Sequence, residues 1–562
     1  MMASHIEAEN DEGALKASGQ VISSTDLEKG ANDFQNALPE EETRPGAKAG
    51  LSLRQFWIVM FGYALLIFFI LWLRCYLSIL SNRLNVGMLL TALDFNIVAT
   101  AVPIISSEFN AYSNSSWLGT GFLVTFALVL PIYGKLGDIF GRRNMFVVGT
   151  LIFILGSGLC GGAKSMNMLI WSRVVQGIGG GGIYGLVNII VTELVPLRDI
   201  GKYVSFTGLV WAIADVAGPL LGGAFSQYVT WRWCFYINLC ISPISLIITF
   251  IFLRIPTPKI DKGRIKNFDV IGSITLIGGT TCLLLGISWG GNNFPWSDSR
   301  VIGCFVGGIV LLVIFVVWEH WAKDPFMPPV FLKSRAVVAI LFAEFFYGTN
   351  LLGMMYYVPQ FFQLVYGDSA TISGVALLPM MLGLAIGNPV AGWVTSKYGL
   401  SLANAWVGAA LTVLSSGLIT RWAARTSRAE AIVELIIFGI GQGAVMEGLL
   451  VGAQFSVEPM HIGIITGLVI FVQTVGDIFG IAIYAAVYQN VLRTKLHHLA
   501  LTIEQIGTIL SDIQKVKTQF KGEMYQSIIE VYAESLQNGW WWLFACAVCL
   551  LISSACAKQR KL

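Results

Sequence analysis

Six ionisable side chains stand where ionisable side chains are rare. Asp94, Arg173, Asp215, Glu344, Glu447 and Asp477 each interrupt a long apolar run. A charge at mid-bilayer costs at least about 2.5–3.5 kcal/mol on insertion scales, so such residues face an interior or a water-filled cavity and mark ion and substrate pathways. A carboxylate taken out of water holds its proton more firmly than an exposed one. Set in a cavity, it picks up and releases protons near neutral pH, and transport becomes coupled if proton and substrate compete for one space. Asp94, Arg173, Asp215, Glu447 and Asp477 are therefore the candidates for proton coupling and the substrate cavity. The competing readings are a structural ion pair for Asp94 and Arg173, and a hydrogen bond within helix packing for Asp215. For Glu344, Glu447 and Asp477 it is a charge at a helix end.

The elements that must position these groups follow from composition. Of 562 residues, 55% are hydrophobic and 12% charged, with a mean hydropathy of +0.70. Soluble domains carry about 25% charged residues. Here apolar runs of about twenty residues, the length a helix needs to cross a bilayer, recur from residue 56 to residue 556. Sixty glycines suit close helix packing in lipid. The fold class is all-α and membrane-integral.

Spans are expected near 56–71 or 88–105, then 116–135, 145–163, 168–190, 203–224 and 234–253, as a first six-helix bundle within 51–254. Two linker helices near 270–290 and 301–321 fall within 255–335. A second bundle within 336–557 has spans near 337–359, 371–394, 402–420, 431–454, 463–488 and 539–557. Residues 1–50 are polar and read as a disordered cytoplasmic tail, and 558–562 as a second cytoplasmic tail. Residues 490–538 read as a long outer loop with an amphipathic helix near Ile503–Phe520. Trp540-Trp-Trp542 reads as an interfacial belt opening the last helix. Residues 63–87 carry one apolar stretch too many for fourteen helices, with Ser81–Asn85 as the break, and read either as a retained intron or as a re-entrant or interfacial segment.

Lys135, Arg142, Arg143, Lys259, Lys262, Arg264, Lys266, Lys333 and Lys397 fall in connections on one side, which the positive-inside rule makes cytoplasmic. The loop with Arg421, Arg425 and Arg428 disagrees. Asn114-Ser-Ser116 is a glycosylation sequon on the opposite side.

Gly134-Lys-Leu-Gly-Asp-Ile-Phe-Gly-Arg-Arg143 joins the second and third helices. Gly134, Gly137 and Gly141 permit a tight turn between packed helix ends, and Asp138, Arg142 and Arg143 supply a charge network that locks or releases two halves. This resembles the loop motif of the major facilitator superfamily. Leu93-Asp-Phe-Asn-Ile-Val-Ala-Thr-Ala-Val-Pro103 and Arg173-Val-Val-Gln-Gly-Ile-Gly-Gly-Gly-Gly182 resemble the first- and fourth-helix motifs of its fourteen-helix drug:proton antiporters. Gly218, Pro219, Gly222 and Gly223 match their fifth-helix antiporter motif, while Ala214 and Asp215 depart from it. Gly392-Trp-Val-Thr-Ser-Lys-Tyr-Gly399 echoes the loop motif in the second half, as related halves require.

The resemblance implies a major facilitator fold of two six-helix bundles plus two central helices. It also implies alternating access and proton-coupled efflux of small hydrophobic organic molecules such as a fungal toxin, metabolite or drug. Uptake of iron–siderophores, or vacuolar import of basic amino acids, is the alternative within the family. A transporter-like membrane sensor is the alternative outside it. The plasma membrane is the expected location, with the vacuolar membrane second.

Gly177, Gly179 and Gly182 fit G-x-G-x-x-G, but no strand precedes them. With no GxxxxGK[ST] either, neither nucleotide nor nucleic acid is an expected partner; protons, lipid and substrate are. The cysteines form no disulfide or metal framework, and the five histidines form no catalytic or ligand pattern. No metal, cofactor or enzymatic activity is expected. Trp211, Phe345, Phe346, Tyr347, Met354, Met355, Tyr356, Tyr357, Met380 and Met381 could line a pocket for hydrophobic substrates.

Overall fold

A helix can enter lipid because it satisfies its own backbone polar groups, and the chain uses helices almost throughout. The computed structural model describes residues 81–557, apart from 99, 110–115, 195–199, 253–268, 291–293, 324, 369, 424–425, 459–460, 500, 503–504, 506–519 and 521. The tails 1–50 and 558–562, residues 63–80, Asn114 and the helix expected at 503–520 all lie wholly or almost wholly outside the described residues.

In chain order the helices are α1 (Ser81–Ile97), α2 (Val102–Glu108), α3 (Ser116–Phe140), α4 (Arg142–Gly161), α5 (Met166–Leu194), α6 (Ile200–Tyr228) and α7 (Trp233–Phe252). The middle of the chain adds α8 (Val270–Trp289), α9 (Ser299–Trp318) and the short α10 (Pro329–Lys333). There follow α11 (Arg335–Val365), the short α12 (Ala370–Val375), α13 (Leu378–Tyr398), α14 (Ser401–Ile419), α15 (Arg428–Phe455), α16 (Ile462–His497) and α17 (Glu523–Cys556). Among the described residues twelve helices are long and apolar enough to cross a membrane. α1 and α6 fall outside that dozen and would make up the fourteen expected.

Helix α9 shows most directly what surrounds the protein. Its span has a mean hydropathy of 2.9, yet only 17% of it is buried. Val306, Ile309, Val310, Val313 and Val317 all point outward. A contiguous apolar face of that kind is stable only against lipid or a partner.

Glycines set the packing of the interior, in the same register twice. On α5, Gly177 and Gly181 lie against the carbonyls of Phe122 and Phe126 on α3 so closely that a Cβ would collide with them. On α15, Gly439 and Gly443, with the same spacing of four, meet the carbonyls of Met380 and Leu384 on α13 in the same way. The first and fifth helices of each half repeat the theme. Gly218 and Gly222 of α6 abut Asn96 and Ile97 of α1, while Gly476 and Gly480 of α16 abut the carbonyls of Phe345 and Thr349 on α11. Gly179 and Gly182 serve the same purpose toward Phe153 and Tyr133. The glycine pattern that mimics a dinucleotide loop thus lies on the packing faces of a helix.

Four expectations change. Ser81–Asn85 is helical and forms the first turn of α1, the residues before it lying outside those described, and the chain breaks after Ile97 before resuming as α2. The loop expected at 490–538 is shorter, because α16 continues to His497 and α17 begins at Glu523. Polar composition there marks helix ends that project past the apolar zone. Trp540 therefore lies well inside α17, fully buried between Trp422 (5.7 Å between centroids) and Tyr484 (5.1 Å). Only Trp541 of the three faces outward. Finally, Arg428 of the discordant loop pairs with Asp368 at 2.7 Å and Arg421 approaches Glu434 at 3.9 Å, so two of its three positive charges have acidic partners.

Candidate functional site: a central cavity and two charge networks

The loop motif folds around one guanidinium. Gly141 precedes α4 with φ 92°, a backbone state glycine adopts without strain. The turn aims Arg142 back across the end of α3. Its Nη1 donates to the Gly134 carbonyl (2.6 Å), its Nε and Nη2 donate to the Glu193 carboxylate (3.2 and 2.8 Å), and Nη2 also pairs with Asp138. Gly137 leaves the room: a Cβ there would stand 2.8 Å from Nη1. Gly463, at the start of α16, faces Arg142 and Glu193 from the second half. Arg143 does not join this network. It turns away to the Phe250 carbonyl (3.1 Å) and ring on α7.

Beside the network lies a cavity of ≈ 670 Å³, counted out to open solvent, walled by α3, α8, α9, α16 and the segment after α9. Glu319 shapes that segment. Its buried carboxylate accepts the N–H groups of Phe326 (3.2 Å) and Met327 (3.0 Å), folding the chain back so that both side chains reach the cavity. Burial pushes the Glu319 carboxyl up to about 7; the Met327 N–H opposes this and Asp269 adds to it.

Asp94 and Arg173 meet deep inside the first half. Arg173 Nη1 donates to Asp94 Oδ2 at 2.5 Å, while Gln176 (2.8 Å) and Asn238 (2.6 Å) donate to Oδ1. Arg173 also donates to the Leu118 carbonyl (3.1 Å) and lies 4.2 Å from the Phe122 ring. Residues from α1, α3, α5 and α7 share this knot, with Ser157 of α4 bonded to Gln176 (2.8 Å). Both oxygens of Asp94 are occupied and its side chain is fully buried. It does not line the central cavity.

That cavity, with ≈ 630 Å³ of empty space counted to open solvent, lies between the two halves. Asp215 of α6 and Asp477 of α16 line it from opposite sides. Asn96 donates to Asp215 Oδ1 at 2.6 Å. Among the described residues Asp477 Oδ1 has no hydrogen-bond partner. Phe95, Phe126, Tyr184, Trp211 and Tyr347 provide ring surface, with Tyr184 and Trp211 4.9 Å apart and Phe95 and Trp211 5.8 Å apart. Of the ten aromatic and methionine residues singled out in the sequence, Trp211, Tyr347 and Met355 reach the cavity. Met354, Tyr357, Met380 and Met381 instead pack in the core of the second half.

The remaining candidates sit elsewhere. Glu344 is buried on α11 one turn before Gly348, where the absent Cβ lets Asp477 approach. Glu447 is buried in the second half, accepting from Thr395 (3.0 Å), itself bonded to Asn404 (2.9 Å). Gly223 faces open space, and the Pro219 side chain is outside those described. Among the described residues no cluster of His, Cys, Asp and Glu is arranged to hold a metal. The sequence reading missed Asn96, Gln176, Asn238 and Glu193. Gln176 lies three residues from Arg173, and Asn96 two residues from Asp94 although it serves Asp215; both are inside the motifs already quoted.

Apolar outer faces, two glycine-packed halves and a largely apolar cavity with two carboxylates between them define a polytopic membrane carrier. The family model described as Major Facilitator Superfamily matches residues 84–481, and the chain belongs to that superfamily. It is 32% identical over 484 residues to the MFS-type efflux pump MFS1 of Arthroderma benhamiae, covering 85% of this chain and 90% of that one. It is 34% identical over 488 residues to the efflux pump FUS6 of Gibberella moniliformis, covering 84% and 86%. The solved structure of the human organic anion transporter MFSD10 (TETRAN) is similar in fold, with a TM-score of 0.57 at 14% identity over 85% of this chain and 99% of that one. The chain is a multi-pass membrane transporter.

Proposed function

We propose that the protein exports small hydrophobic organic molecules through the central cavity in exchange for protons. The observation that carries the reading is the placement of Asp215 and Asp477 on opposite sides of a cavity whose other walls are mostly rings, methionines and aliphatic side chains, with Gln473 and Thr474 among them. Apolar walls hold a hydrophobic compound, and a carboxylate from each half gives a proton a place to compete with it. Arg142 ties the ends of α3 and α5 together beside Gly463 of α16, and this contact between the halves parts as they rock about the cavity. The relatives' names as efflux pumps support outward transport. Asp94 and Arg173 act one layer behind the cavity, holding α1 and α5 in register.

Purified protein in liposomes with an imposed pH gradient tests this. Accumulation of a hydrophobic dye against its own gradient, driven by an opposing proton gradient and lost in Asp215→Asn, is the expected result. Dye movement indifferent to the pH gradient would sink the exchange mechanism.

A further inference from the structure

Gly467 breaks the packing rule of its own helix. Along α16, Gly476 and Gly480 are pressed against carbonyls of α11. Gly467 is buried too, yet a Cβ added there would meet no atom of the described residues within 4 Å. It is a wall of the cavity beside the loop motif, which shares no wall residue with the central one. Protein interiors are close-packed, and the spaces they leave empty are apolar and take up apolar guests. At ≈ 670 Å³, counted out to open solvent, this space lies within the range of about 300–1,000 Å³ that holds small molecules.

The walls define the guest. Leu276, Phe315, Phe326, Leu468 and Phe471 make the body of the space apolar. The two charged residues that line it, Lys135 and Asp138, stand within one turn of each other on α3 and are of opposite sign. Both are already engaged: Asp138 pairs with Arg142, which also holds Glu193, and Lys135 has a partner of its own. A charged guest would leave water with no counter-charge waiting for it, which is costly. An uncharged polar group needs only a hydrogen bond.

We propose that this cavity is a second small-molecule site, which takes uncharged amphiphiles with one short apolar chain and one hydroxyl-like end. Its occupant holds the two halves together on the loop-motif side. It touches α3 of the first half and α16 of the second at once, beside Met327, which packs against apolar clusters of both. Parting the halves there would expose it to water, so the bound ligand favours the joined state.

An octanol carrying a diazirine on its chain marks where such a molecule rests. Irradiated with purified protein, it should label residues 131–138 and 463–472. Decanol should compete at least about tenfold better than decyl sulfate or decyltrimethylammonium, whose chain is the same and whose charge is fixed. Gly467→Phe puts a ring into the open space and should cut the labelling at least about tenfold. Val472→Phe fills the same cavity from further along α16 should the first variant misfold, and melting profiles identify which variants fold. Decanol should also shift spin labels at Asn144 and Glu458 toward the shorter distance in the parent and leave them unmoved in the filled variant. Labelling undiminished in a folded filled variant, or confined to the central cavity or the outward face of α9, overturns the proposal. So does equal competition by the charged analogues, or decanol binding without a change of distance. None of these readouts uses transport, so a failed export mechanism and a failed second site are told apart.

Discussion

Arg173 and Asp94, seventy-nine positions apart in the chain, share a 2.5 Å hydrogen bond in the fully buried interior of the first half. The contact is completed on every side: Gln176 and Asn238 hold the carboxylate, and the Leu118 carbonyl and Phe122 ring hold the guanidinium. A buried pair is dear to break from one side, because the survivor keeps its charge and loses its partner.

Asp94→Asn should accordingly destabilise the protein by about 3–5 kcal/mol. Adding Arg173→Gln should recover part of that loss, since the double variant leaves no unpaired charge. Thermal unfolding in detergent measures both. A single variant as stable as the parent would show that the knot does not hold the half together.

The glycine registers give a contrast within one kind of substitution. At Gly439 a Cβ would run into the Met380 carbonyl, so Gly439→Ala should cost at least about 1–3 kcal/mol. A Cβ added at Gly303 or Gly307 on α9 would meet no atom of the described residues within 4 Å. Alanine there should be neutral or stabilising by about 0.4–1 kcal/mol. Equal melting temperatures for the two classes would refute the packing argument.

Glu319 should make stability depend on pH. Burial raises its folded pKa to about 7 from an ordinary 4.5. The folded chain then keeps a proton that the unfolded chain releases, so the contribution is complete below pH 4.5 and is lost as pH rises through 7. Glu319→Gln should flatten the fall in melting temperature across that window. A slope as steep in the variant would place its origin in another group.

Much of this arrangement was legible in the sequence, and the reasons for the rest are physical. Asp94, Arg173, Asp215 and Asp477 stood out because a charge in an apolar run has few explanations. Their neutral partners did not, since Asn, Gln and Ser occur in spanning helices at modest cost. Nor does composition reveal which charges face the cavity: Asp94 and Asp215 look alike in sequence, yet one closes on Arg173 and the other opens to the space between the halves. Trp540 was misplaced because polar residues before it read as loop, although a helix continues past the apolar zone wherever it finds a neighbour to pack on. Arg143 was grouped with Arg142 by adjacency, but consecutive residues on a helix point about 100° apart.

Arg142→Lys should loosen the contact that ties α3 to α5 beside α16. A lysine cannot make the forked contact with Glu193 while also reaching the Gly134 carbonyl. Spin labels at the exposed positions Asn144 and Glu458 should then report a larger population with the loop-motif side open. An unchanged distance distribution would mean that Arg142 does not set that equilibrium.

Competition between proton and substrate in the cavity is the central claim, and proton release on binding tests it most directly. Purified transporter in weakly buffered solution near neutral pH, mixed with a saturating hydrophobic dye that it transports, should release protons. The release should fall in Asp215→Asn and Asp477→Asn and persist in Glu447→Gln, whose carboxyl lies outside the cavity. Binding without proton release, or release untouched by both cavity variants, would contradict the account.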